Sequence, residues 1–169
     1  MSLLVRKFNK AKWPKEDFKN AKVGDLQADV FTSCLKTSKN ELSTWVIDGL
    51  EKQYISEAAL ALVCKAEHLA TMYLVILDED EIKKRGFQIK ESQGDTYVVD
   101  LLDKHKDIVG LTYSSIGDFA KYMIENLSCR VQRYTEGDLK KLLRDAISNG
   151  RLEFNKLSIG LQNKLRPSA

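Results

Sequence analysis

The chain has 169 residues, 43% of them hydrophobic and 30% charged, with a formal net charge of +3; that is enough to bury a core in a single domain and too apolar for a disordered chain. No apolar run approaches the ~20 residues of a membrane-spanning helix, and the N-terminus lacks the order of a secretory signal. Three well-separated cysteines, Cys34, Cys64 and Cys129, give neither a disulfide framework nor a Cys-x-x-Cys zinc or redox motif, so a cytoplasmic chain with reduced thiols, no cofactor, no metal and no membrane contact is expected.

In chain order, Leu3–Phe8 suits a short strand, and the basic, aperiodic stretch from Asn9 to Lys22, broken at Trp13-Pro14, reads as a long loop. Asp25 then caps a helix with Leu26, Val30, Phe31, Cys34 and Leu35 on one face, and Leu42–Ile47 follows as a β-rich strand. Ser56 reads as the N-cap of the next helix, with Ile55 and Leu60 as its hydrophobic staple. Its apolar face, Ala59, Leu62, Val63, Ala66 and Leu69, leads into the wholly apolar run Met72–Leu77. Strand, helix and strand predict a βαβ unit whose strands, 42–47 and 72–77, are parallel and covered on both faces.

Asp78 with Glu81 predicts a capped short helix ending in Lys83, Lys84 and Arg85, and a short strand follows over Phe87-Gln88-Ile89. Residues 96–109 fit either a hairpin strand or a helix. The spacing of Val98, Leu101, Leu102, His105, Ile108 and Val109, with Gly110 as a cap, favours the helix. Further helices are expected from about Ser115 to Asn126, over 138–149 behind a Thr135/Asp138 capping box, and more weakly from Phe154 to Leu165, where Gly160 interrupts. Cys129–Tyr134 suits an edge strand. The expected class is α+β: a small mixed sheet of about four strands with at least one βαβ unit and a helical C-terminal half, in one domain with a possible subdivision into 1–110 and 111–169.

The residues offer little that is catalytic. There is no Gly-rich phosphate loop, nucleophile elbow or HExxH motif. His105 is expected to pack, and Cys64 with His68 lacks a third ligand. Asp48, Asp78 and Asp80 at the ends of two parallel strands would form a carboxylate cradle for Mg²⁺, although capping explains Asp78 equally well. Charge is unevenly spread: residues 1–22 carry +5, 23–127 carry −7 and 128–169 carry +5.

These observations leave three readings. The first is a non-catalytic interaction protein, a binding subunit or inhibitor of a protein partner or of a second copy of itself, with Trp13 either as an exposed contact or as a lid on the core. The second is a nucleic-acid-binding protein using its basic ends, with Arg130, Arg133, Lys140, Lys141, Arg144 and Arg151 as candidate polyanion contacts. The third is a metal-dependent phosphoesterase at Asp48, Asp78 and Asp80.

Overall fold

A computed structural model describes residues 2–13 and 22–166. Its centre is one six-stranded sheet: β1 (Leu3–Phe8), β2 (Leu42–Ile47), β3 (Met72–Asp78), β4 (Gln88–Ser92), β5 (His105–Val109) and β6 (Val131–Tyr134), in the order β4-β5-β2-β1-β3-β6. Every neighbouring pair is antiparallel. The chain is therefore mixed α and β, as expected, but the sheet has six strands rather than about four and contains no parallel pair.

The βαβ expectation fails for a topological reason. Strands β2 and β3 do run in the same direction, with helix α1 (Lys52–Val63) between them in sequence. The N-terminal strand, however, inserts between them. Leu3 of β1 stands opposite Ile47 on one side and Asp78 on the other, antiparallel to both. Periodicity reports which faces are covered and is blind to which strand lies alongside. That β3 is buried on both faces is correct: Met72, Leu74, Val75, Ile76 and Leu77 are all 5% exposed or less.

Alternation along the strands divides the core. One face presents Leu3, Val5, Trp45, Ile47, Met72, Leu74, Ile76 and Tyr134 to α1, α4 (Glu136–Ser148) and α5 (Ile159–Leu165). The other presents Leu4, Phe8, Leu42, Val75, Leu77 and Ile108 to α2 (Glu79–Lys84), α3 (Tyr113–Leu127) and a widened helical turn, Val30–Cys34. The result is three layers, each outer layer burying one pleat of the sheet.

Several caps form as read. The Asp78 carboxylate accepts from the N–H groups of Asp80 (2.9 Å) and Glu81 (3.2 Å). Thr135 and Asp138 exchange the reciprocal bonds of a capping box at α4. Ser56, by contrast, lies within α1, which starts a turn earlier after Glu51, and its hydroxyl meets the Tyr134 hydroxyl at 3.0 Å. The helix expected over 96–109 is absent: a single tight turn at Val99–Leu101 precedes strand β5, bound to β2 and β4 on its two sides. Gly110 does adopt a left-handed backbone (φ +70°), but it ends a strand rather than a helix. Gly160 has a packing reason, since a Cβ there would collide with the Glu67 carbonyl. The loop read over 9–22 falls partly outside the described residues.

Candidate functional site: a basic cleft at the end of the first strand

Beyond its third residue, β1 turns from apolar to basic, and the sheet pleat sends its cations to opposite faces. Lys7 falls on the α1 face, in register with Leu74, and Arg6 on the other, in register with Val75. The Arg6 guanidinium tucks under the Val30–Cys34 turn. Its Nε and Nη2 donate to the Cys34 carbonyl (3.2 and 2.5 Å), and its Nη1 donates to the Ser43 carbonyl (2.6 Å). Burial pulls the Arg6 pKa down to about 10, with the Cys34 thiol and Asp107 acting in the opposite sense, so the group stays charged at neutral pH. No carboxylate among the described residues pairs with it. A guanidinium has five N–H donors, and these three bonds leave one N–H on each terminal nitrogen.

Beside Arg6 opens a cleft of about 970 Å³, at the upper end of the range of about 300–1,000 Å³ usual for ligand pockets. Strand ends from β1, β2 and β3 meet there with the 30–34 turn, bringing together Arg6, Lys7, Lys10, Ser43, Trp45 and Tyr73. No Asp or Glu is among its described lining residues. Lys7, Lys10 and Ser43 are exposed. The Lys10 ammonium stands 5.5 Å above the Tyr73 ring, and neither Lys7 nor Lys10 has a salt-bridge partner among the described residues. Elsewhere basic groups are commonly matched: Lys12 with Asp29, Lys65 with Asp95, Lys104 with Asp48, Arg85 with Glu125. The cleft is thus a concave region lined by cations, with no carboxylate among its described lining residues and with aromatic and hydroxyl groups in its wall.

The C-terminal cations singled out by sequence do not form one surface. Arg151 is held inside the fold by Glu57 and Asp100, and the hydrogen bonds it donates to both carboxylates raise its pKa. Arg144 donates to the Leu165 carbonyl at 3.1 Å. Arg133 stands in register with Tyr73 on the α3 face of the edge strand β6, whereas α4 covers the other face. Arg130 immediately precedes that strand, and its carbonyl accepts from the Ile76 N–H. The side chains of Arg130, half-buried, and of Lys140 and Lys141, one half-buried and one exposed, make no hydrogen bond or salt bridge among the described residues.

Trp13 is only 2% exposed and packs edge-on against Phe8 at 6.5 Å, so of its two readings the lid on the core is the one its position fits. Its buried Nε1 has no hydrogen-bond partner among the described residues.

Asp48 and Asp78 do leave the same edge of the sheet, but β1 separates their strands. Asp48 is engaged by Lys104 at 2.9 Å and Asp78 by its cap. Among the described residues no group of three or more His, Cys, Asp or Glu side chains is placed to share a metal ion. His105 lies in a strand, not on a helix, with its Nδ1 2.8 Å from the Ser92 hydroxyl and its ring edge-on to Trp45 at 5.0 Å. Burial lowers its pKa. The Cys64 thiol is buried next to the Thr96 hydroxyl (3.1 Å), while His68 is exposed.

Sequence reasoning missed the cleft. The excess of positive charge in residues 1–22 was the available signal, but Ser43, Trp45 and Tyr73 reach the site through strand pairing that no local pattern encodes. No family model, no curated protein and no solved structure matches this chain.

Proposed function

We propose that this chain is a non-catalytic binding protein whose partner is anionic and whose working surface is the cleft at the end of β1. One observation carries the reading: Arg6, Lys7 and Lys10 line one concave site, Lys7 from the α1 face of the sheet and Arg6 from the other, with no carboxylate among its described lining residues. A charge recessed in a low-dielectric wall acts more strongly on a ligand than the same charge on an open surface. Among the described residues Arg6 hydrogen-bonds to backbone carbonyls and forms no salt bridge, Asp107 acting on it without a hydrogen bond, so an incoming anion gains attraction without first breaking an ion pair. Lys7 and Lys10, exposed at the rim, steer the encounter.

The nucleic-acid reading that joined both basic ends draws less support in its C-terminal half, because Arg144 and Arg151 are engaged within the fold and Arg133 faces away from α4. Arg130, Lys140 and Lys141 are the members of that set left to make a secondary contact.

Retention on a sulfated polysaccharide resin tests the proposal. The parent protein should bind at low salt, and the double substitution Lys7→Glu/Lys10→Glu should elute at clearly lower salt while melting at the same temperature. Equal elution of parent and variant would remove the cleft from the account.

A further inference from the structure

Resting on that anionic-partner reading, we propose that the cleft takes a single strand of nucleic acid, with phosphates at Arg6 and Lys10, one base against Tyr73, and a further phosphate at Lys7 where the strand passes round the end of β1 to the α1 face. Shape and chemistry both point this way. A duplex is read by an element that protrudes into a groove about 12 Å wide, whereas here the cations line a recess among strand ends. Single strands are held by a basic groove along the backbone together with aromatic rings on which bases stack.

Tyr73 supplies such a ring. It is half-buried, in tilted contact with Phe8 at 6.0 Å, and the Lys10 ammonium stands over one face of it. A cation held over a ring marks a π-face open to a flat or cationic occupant. A base can take that face while Lys10 moves to the adjoining phosphate. The two unused guanidinium N–H groups of Arg6 provide donors to phosphate oxygens on the Tyr73 side, and the exposed Ser43, on the same face as Trp45, provides a hydroxyl on the Lys7 side. An acidic peptide would satisfy the cations equally but would leave the Tyr73 face without a partner.

The experiment is fluorescence anisotropy with labelled oligothymidylate and oligouridylate of about ten nucleotides, within the ~4–16 nucleotides of known single-strand sites, beside a duplex and an oligoglutamate peptide. Single strands should bind at least tenfold more tightly than duplex or peptide. Affinity should fall at least tenfold in Lys7→Glu/Lys10→Glu. It should fall about fivefold or more in Tyr73→Leu, as expected when one stacked base is lost. Because Tyr73 is partly buried, its variant is scored only against an unchanged melting temperature, and Lys10→Gln serves as the surface substitution if Tyr73→Leu unfolds. Duplex or peptide binding as tight as single strands would overturn this inference and leave the anionic-partner reading standing. Binding by none of the four probes would overturn both.

Discussion

Arg151 grips Glu57 with both terminal nitrogens, Nη1 to Oε1 at 3.1 Å and Nη2 to Oε2 at 2.5 Å, and the same Nη2 reaches Asp100. The bidentate pair ties the loop after α4 to α1 and to the Val99–Leu101 turn, three segments far apart in sequence. A residue that looks like a surface cation is thus a structural clamp.

Replacing it should therefore cost stability and not binding. Arg151→Ala is expected to lower unfolding free energy by about 1 kcal/mol, a value kept small because the groups are about one-third to one-half exposed and screened by solvent. Urea unfolding measures the loss. Retention of the variant on the polyanion resin should match the parent.

Glu79 gives a pH dependence of definite sign. Burial pushes its carboxyl up, but hydrogen bonds from Lys83, Ser2 and Lys106 outweigh that and hold it down at about 2, against an ordinary 4.5. Since the folded value is the lower one, its stabilisation is complete above pH ~4.5 and is lost as pH falls towards about 2. Glu79→Gln should be destabilised by about 2 kcal/mol at pH 7, in the range of charge-assisted bonds, with the gap to the parent closing near pH 2. A gap that stays constant from pH 6 to 2 would rule the assignment out.

Lys39 and Asn40 both adopt left-handed backbone (φ +55° and +62°) in the turn between Ser38 and Glu41. Asparagine accepts this conformation readily; lysine pays for its Cβ. Lys39→Gly should raise stability by about 0.5 kcal/mol, the strain relieved less the extra chain entropy of glycine. A lower melting temperature would show that the turn is not strained there.

Tyr134 closes the α1 face through its hydroxyl contact with Ser56, and it is 1% exposed. Tyr134→Phe should cost about 1 kcal/mol by leaving the Ser56 hydroxyl without that partner, and Ser56→Ala in the same background should add little. Additive losses would mean that the two hydroxyls do not depend on each other.

What was legible in the sequence was local. Leu3–Phe8, Leu42–Ile47 and the strand from Met72 were readable because their composition fits a pleated, buried surface, and the Asp78 and Thr135 caps because their bonds span three residues. Strand β5 was not, since His105, Lys106 and Asp107 are polar on both faces and the nearby apolar residues happen to fall at helical spacing. Pairing with β2 and β4 decided the matter. Ser56 misled because a serine before an apolar run resembles a cap even where the helix has already begun. The cleft was out of reach for the same reason as β5: its parts meet only when β1 slides between β2 and β3.

The central claim is that an anion enters beside Arg6, and amide NMR with ¹⁵N-labelled protein titrated with tripolyphosphate tests it most directly. The account predicts saturable shifts concentrated in residues 6–11, 33–34, 43–45 and 71–73, abolished in Lys7→Glu/Lys10→Glu. Shifts centred on 130–144 instead, or none at millimolar probe, would contradict it.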